Sequence, residues 1–296
     1  MPAAEPMPVL SSERLDLSDG FTLALGGGGA RGWAHIGVAR ALRTHRLTPT
    51  RIVGTSMGAL IGAGLAAGRT PEAIEAAARR TPVYRHMRRP GRLALFDARP
   101  LLERTVSELG DPRIEELPTP LGITTYDLVA GVPRLVTSGR LLDALERSIA
   151  VPFFLPPRRD ADGVWCDAGP WEGVPVTLAR AWAPDAPVIG VLADIPKPAF
   201  LASPLGARVL RRASARLGAG VRGDRLSAMR YLSLLTLRWA DPVVVEPPDL
   251  LIAPPLGRMN ALQFSRIAPA VAIGERATSE ALATIGLRPD PTPTAR

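Results

Sequence analysis

The chain has 296 residues, enough for one large α/β domain with a full core, and no linker divides it in two. One cysteine, Cys166, excludes an intrachain disulfide and a cysteine-based metal cluster, and His35, His45 and His86 are too scattered for ligand spacing, so metal dependence is not expected. The net charge of +8 is nearly all arginine, with Lys197 the one lysine, and it is concentrated in the stretches 79–92 and 208–230. These clusters read either as solvated helix faces or as a surface for anionic lipid headgroups. Neither interleaves the aromatic side chains that would stack nucleic-acid bases, so no nucleic-acid partner is expected.

Residues 1–18 and 287–296 carry no hydrophobic period and are expected to be flexible tails on a single domain over 19–286. Neither end has a basic start followed by an apolar run, which predicts a cytoplasmic chain whose arginine clusters could bring it to the periphery of a membrane.

In chain order, Phe21 to Leu25 reads as a strand ending in the run GGGGARG, residues 26–32, after which Trp33, Ile36, Gly37, Ala39 and Leu42 follow a helical period. The pattern then repeats. Ile52 and Val53 lead into G-T-S-M-G, residues 54–58, and a small-residue helix leads out. Two such units in tandem predict neighbouring parallel strands with right-handed crossovers, their turns at the same edge of the sheet. Residues 52–68 carry no charge, and Gly58-x-x-x-Gly62 and Gly64-x-x-x-Gly68 match the spacing of packed membrane helices. A buried helix that lets a sheet approach closely accounts for the same glycines and is the preferred reading.

Thr70-Pro71-Glu72 starts a helix that runs to about Arg80. The basic piece 81–96 is a surface loop or a mobile cover. A helix is expected over Arg99 to Leu109, strands over Leu121 to Leu128 and Leu135 to Thr137 around a turn at Gly131, and a helix over Leu141 to Ile149. Pro152, Pro156 and Pro157 exclude a long helix or central strand after it. Val164 to Cys166 is a short strand delivering Asp167-Ala168-Gly169 to its end, and Val188 to Leu192 is another. The remainder reads as a basic helical region over 201–238, a late strand at Val243 to Glu246 and a closing helix from Ala261 to Leu287. The alternation indicates an α/β fold.

Within this frame Ser56 sits on the strand, sharp turn and helix of a nucleophile elbow, where Gly54 and Gly58 avoid collision with the neighbouring strand and helix. A serine hydroxyl needs a base to take its proton and preorganised donors for the oxyanion, and the glycine turn at 26–32 is suited to supply those donors. The same turn fits a dinucleotide pattern at Gly27, Gly29 and Gly32. No acid lies between Asp19 and Glu72 to bind the ribose, and the NADP-type variant that survives, with Arg51, leaves the serine elbow unexplained. Ser56 comes too early in the chain for the Ser, acid, His order of a hydrolase triad. His35 reads as a satisfied polar residue of the first helix and His45 as a surface residue near its end. An aspartate can act as the base directly, and Asp167, at a strand end among small residues, is the best candidate. Asp127 and Asp194 are alternatives that read equally as turn or cap residues.

Together these residues resemble the patatin-like phospholipase family: GGGGARG (26–32) its oxyanion motif, GTSMG (54–58) its elbow, and Asp167-Ala168-Gly169 its D-G-[GA] motif. TYDL (125–128), VTSG (136–139), PFFLPP (152–157) and GVPV (173–176) sit where such proteins have similar segments. The resemblance covers about residues 20–280. It implies a three-layer fold with a central, mostly parallel sheet between helices, and a cofactor-free Ser-Asp dyad enzyme that cleaves lipid or phospholipid acyl esters through an acyl-serine intermediate. Ser56 would be the nucleophile and Asp167 the base; Gly54, Met57 and Gly58 would shape the elbow. Backbone N–H groups of Gly27, Gly28 and Gly29 would hold the oxyanion, with Arg31 and Gly32 supporting their loop. Ala168 replaces a commoner glycine, and Glu172-Gly173 stands where an Asn pair is common, which leaves the local hydrogen bonds there open. A regulatory protein that keeps the scaffold with little turnover, and an acyltransferase, are the alternatives. The sequence sets neither the lipid, the acyl position nor the oligomeric state.

Overall fold

A computed structural model describes residues 15–86, 97–151, 154–193 and 246–288. Its centre is an eight-stranded sheet of β1 (Thr22–Leu25), β2 (Arg51–Thr55), β3 (Leu121–Asp127), β4 (Val132–Val136), β5 (Arg158–Asp160), β6 (Gly163–Cys166), β7 (Val188–Val191) and β8 (Leu250–Ile252). The strand path is β5-β6-β3-β2-β1-β7-β8, with β4 also on β3. The inner run β3-β2-β1-β7-β8 is parallel throughout, and β4, β5 and β6 join antiparallel.

The inner strands β1, β3 and β7 are buried on both faces, and β1 and β7 accordingly read as near-continuous apolar runs, while β3 ends in polar residues. Leu23, Leu25, Ile52, Leu121 and Ile123 point into one core, shared with α1 (Ala34–Thr44), α2 (Met57–Ala66), α5 (Arg99–Ser107), α6 (Leu141–Ser148) and α8 (Ile267–Thr284). Ala24, Val53 and Val188 point the other way, onto α7 (Val176–Trp182). Helices therefore lie on both faces of a mostly parallel sheet, the expected three-layer α/β arrangement. Two further helices, α3 (Pro71–Arg80) and α4 (Val83–His86), pack respectively on α1 and α2 and on α5. Helices α1 and α8 touch backbone to backbone: a Cβ on Gly37 would strike the Val271 carbonyl, and one on Gly274 the Ala34 carbonyl.

The uncharged stretch 52–68 divides into β2 and the buried ten-residue α2. No helix among the described residues is long and apolar enough to cross a membrane. Helix α3 starts as expected, with Thr70 Oγ1 accepting from the Ala73 N–H at 3.2 Å and Pro71 in the first turn. Several elements differ from expectation, among them β4, which starts at Val132 rather than Leu135, and α4, which stands where a loop or cover was expected. Strands β5 and β8 are only three residues each, too short for a periodic signal, and α7 follows Pro175 directly. The closing helix begins at Ile267 rather than Ala261, because Asn260 diverts the preceding chain into a turn in which its Oδ1 accepts from the Leu262 N–H at 2.7 Å. Leu17, expected in the N-terminal tail, is buried in the core. The basic region 201–238, residues 243–245 of the expected late strand, residues 87–96 and Asp194 lie outside the described residues, and Glu246, the expected end of that strand, is a bend ahead of β8.

Candidate active site

Strands β1 and β2 are parallel neighbours in the register Leu25↔Gly54, so the glycine turn and the serine turn leave the sheet side by side at one edge. The proximity is direct: a Cβ on Gly27 would stand 3.4 Å from Ser56 Cβ. Arg51 lies at the opposite end of β2, level with Thr22, so it is a poor partner for a nucleotide held at that turn.

Ser56 has φ 54° and ψ −120°, a conformation that costs a non-glycine residue about 1–3 kcal/mol. Its neighbours impose it. The Ser56 carbonyl accepts from the N–H groups of Ala59 (3.0 Å) and Leu60 (3.1 Å), and its own N–H donates to Ser148 Oγ on α6 at 2.9 Å. A Cβ on Gly54 would stand 2.5 Å from Ala59 Cα, and one on Gly58 would strike the Leu25 carbonyl, so both glycines provide the expected clearance. Met57 opens α2, and the positive end of that helix lies beside Ser56.

In the glycine turn, the Gly26 N–H donates to the Val191 carbonyl (3.0 Å) and the Ala30 N–H to the Ala261 carbonyl (2.8 Å). Between them, the N–H groups of Gly27, Gly28 and Gly29 find no acceptor among the described residues. The loop is held from behind. Arg31, 5% exposed, donates from Nη1 to the carbonyls of Met259 (2.6 Å) and Gly257 (3.1 Å), and Trp33 Nε1 donates to the Phe264 carbonyl at 3.2 Å. Gly32 packs against Met57, leaving no room for a side chain.

Asp167 reaches the same place by a route that the strand pairing defines. Strand β2 occupies one edge of β3 as far as Thr55↔Thr124, and β4 occupies the other edge from Ile123 to Asp127. Strand β6, paired with Tyr126 and Asp127, must therefore continue on the β2 edge, running in the opposite direction. Ser56 follows the end of β2 and Asp167 the end of β6, so the two run toward each other at the level of Thr125, whose Oγ1 donates to the Cys166 carbonyl at 3.2 Å. Asp167 is 3% exposed, its Oδ1 accepts from the Gly169 N–H at 2.7 Å, and its own N–H donates to the Ala150 carbonyl. Burial, with the Asp167 charge adding to it, holds the neighbouring Cys166 thiol well above its ordinary range.

The other candidates separate from this point. Asp127 Oδ1 caps the turn after β3, accepting from the N–H groups of Val129 (2.9 Å) and Ala130 (2.8 Å). His35 is fully buried, and its Nε2 bonds the Gly26 carbonyl at 2.8 Å. Burial pushes its pKa down to about 4, so the ring is neutral and Nε2 is the donor. His45 bonds the Ala41 carbonyl from the end of α1 and is half-buried rather than a surface residue, while His86 bonds the Pro82 carbonyl on α4. Glu172 supplies the local bonds left open by the missing Asn pair. Its Oε1 accepts from the Thr177 N–H (3.0 Å) and Oγ1 (2.9 Å) at the start of α7, while burial raises its pKa.

Sequence reasoning missed Ser148 and the brace formed by Gly257, Met259, Ala261 and Phe264. None of them belongs to a local motif.

Comparison with known proteins places the chain. A family profile described as patatin-like phospholipase matches residues 23–180. An uncharacterised NTE family protein of Mycobacterium tuberculosis is 34% identical over 193 residues, covering 64% of this chain and 51% of that protein. The lysophospholipase NTE1 of Mycosarcoma maydis is 30% identical over 168 residues, 54% of this chain and 9% of that one. The neuropathy target esterase sws of Drosophila melanogaster is 31% identical over 145 residues, 47% of this chain and 10% of that one. The chain thus spans about half the length of the mycobacterial relative and a tenth or less of the other two. Among solved structures, VipD from Legionella pneumophila aligns with a TM-score of 0.45 at 14% identity, covering 90% of this chain and 66% of that one.

Proposed function

Because the chain belongs to the patatin-like phospholipase family, we propose that it is a serine acylhydrolase that cleaves acyl esters of lipids through a Ser56–Asp167 dyad. The observation that carries this reading is the shared edge of β3, which brings the ends of β2 and β6 together beside the glycine turn. The Asp167 carboxylate accepts the Ser56 hydroxyl proton as Oγ attacks the ester carbonyl carbon. The oxyanion that forms is held by the N–H groups of Gly27, Gly28 and Gly29, preorganised and without competing acceptors among the described residues. Asp167 returns the proton to the departing alcohol, leaving an acyl-serine. Water, activated by the same carboxylate, then hydrolyses it.

The printed names of the fungal and insect relatives, a lysophospholipase and an esterase, support a lipid ester as substrate. Exposed Tyr84 (49%) and Leu262 (41%) stand close together, the Tyr84 hydroxyl donating to the Leu262 carbonyl and the Tyr84 ring lying against Phe264, which lines a cavity shared with Ser56. Exposed Arg85, Arg258 and Arg266 flank them in sequence. This combination supports peripheral contact with an anionic membrane, at about 1 kcal/mol per basic residue near the surface. Vesicles with and without anionic lipid, presented with a panel of lipid esters, test that contact and the substrate class together.

Ser56→Ala and Asp167→Asn are each expected to abolish ester hydrolysis while leaving the thermal midpoint within a few degrees of wild type. A Ser56→Ala protein with wild-type turnover would overturn the proposal. A wild-type protein whose Ser56 a fluorophosphonate probe fails to label would favour the regulatory alternative.

A further inference from the structure

A cavity of about 480 Å³ opens at Ser56. Its apolar lining includes Trp33, Met57, Leu60, Ala77, Leu101 and Phe264. Its lining takes one face of α2, Met57, Leu60, Ile61, Ala63 and Gly64, and extends past the end of that helix to Arg69, with Thr105 and Glu108 of the α5 end; Leu145, Ile149, Val151 and Leu155 also line it. The Arg69 guanidinium donates to the Glu108 carbonyl at 2.7 Å, which fixes the end of α5 against the end of α2. The lining beyond the end of α2 thus carries charge, as it also does at Arg80 on the last turn of α3.

The glycines that resembled a membrane-helix pattern have separate uses here. Gly58 clears β1, and a Cβ on Gly62 would stand 3.0 Å from Ile52 of β2. Gly64 instead faces α3, where a Cβ would stand 3.1 Å from Ile74 Cδ1, and it lines the cavity with Ala73 and Ala77. The space exists because these side chains are small.

Building on the acylhydrolase reading, we propose that this cavity binds the acyl chain of the ester, one unbranched chain laid along α2 from the carbonyl at Ser56, and that the Arg69–Glu108 end limits its length. Helix α2 has ten residues, about 15 Å at 1.5 Å per residue. An extended chain advances about 3.5 Å per three bonds, so the groove takes about a dozen carbons. Longer chains must push their ends into charged surroundings. Thr105 and Ala77 are the residues that set the limit, Thr105 at the far end and Ala77 halfway.

The test separates binding from turnover. Saturated fatty acids of six to eighteen carbons are titrated calorimetrically into Ser56→Ala protein, and a matching series of single-chain esters is hydrolysed by wild type. Affinity is expected to rise about fourfold per methylene up to about twelve carbons and then level off. Thr105→Phe should move this break to about eight carbons, and Ala77→Phe, on the partly exposed α3, should shorten it further. Each should lower the ratio of dodecanoyl to butanoyl ester turnover at least tenfold. Affinity that climbs unbroken to eighteen carbons, or a break that neither variant moves, overturns the proposal. Ester turnover with no chain-length break removes the groove but leaves the hydrolase. A break in fatty-acid affinity without turnover of any ester removes the hydrolase but leaves the groove.

Discussion

Ser148 is the residue whose replacement most directly tests how the elbow is held. Its Oγ accepts the Ser56 N–H at 2.9 Å, both residues are buried, and Ser56 is in a backbone conformation that is unfavourable on its own. Ser148→Ala removes the acceptor and strands a buried N–H, at a cost of about 1–3 kcal/mol. The elbow can recover part of that by rotating out of its strained φ, since the strain there is of similar size, about 1–3 kcal/mol. Either outcome is measurable. For a domain of this size each kcal/mol lowers the thermal midpoint by about 2–4 °C, so calorimetry should show a fall of roughly 2–12 °C. Relaxation of the turn by about 1 Å would displace Oγ from its attack position and reduce ester turnover about a hundredfold. Ser148→Thr keeps an acceptor at the same position and should restore much of both. Wild-type midpoint and turnover in Ser148→Ala would refute the claim that this hydrogen bond maintains the elbow.

Gly58→Ala places a methyl against the carbonyls of Leu25 and Gly26 at the end of a central strand, where neither backbone can retreat. A loss of about 3 kcal/mol or more is expected in urea unfolding, and an unchanged midpoint would contradict the packing described. His35 gives a pH dependence whose sign is fixed. Its pKa is about 4 in the fold against an ordinary 6.5, so the unfolded chain binds the extra proton between those values and stability rises with pH. The His35 contribution is full above pH 6.5 and is lost as pH falls toward 4, about 3 kcal/mol in all. His35→Gln keeps an N–H for the Gly26 carbonyl and should flatten that slope; a variant as pH-sensitive as wild type would assign the slope to other groups.

The parts of the site legible in the sequence are those made by neighbours in the chain. The clearance at Gly54 and Gly58 and the helix start at Thr70 are contacts within a few residues or with an adjacent strand. What escaped is long-range. Ser148 lies 92 positions from Ser56, and the carbonyls that hold Arg31 lie 226 and 228 positions from it, with no composition signal at either place. The expected start of the closing helix at Ala261 is too early because Ala261, Leu262 and Phe264 can continue its period, while the turn that precedes Ile267 is held by side-chain oxygens, Asn260 Oδ1 on the Leu262 N–H and Gln263 Oε1 on the Asn260 N–H.

The two aspartates mark the division most clearly. Asp127 and Asp167 each stand at the end of a strand, and only the small residues after Asp167, against Leu128 and Val129 after Asp127, favour Asp167 as the base in the sequence. The sequence by itself determined the two strand–turn–helix units, their parallel pairing and the placing of Ser56 beside the glycine turn, because β-branched runs, glycine spacing and crossover handedness act over short distances. Only the tertiary structure decided which aspartate stands at a strand end that meets that of the serine. That choice depends on β2 ending at Thr55 and β6 taking up the vacated edge of β3 from the other direction, and edge sharing by strands more than a hundred residues apart leaves no mark on either strand alone.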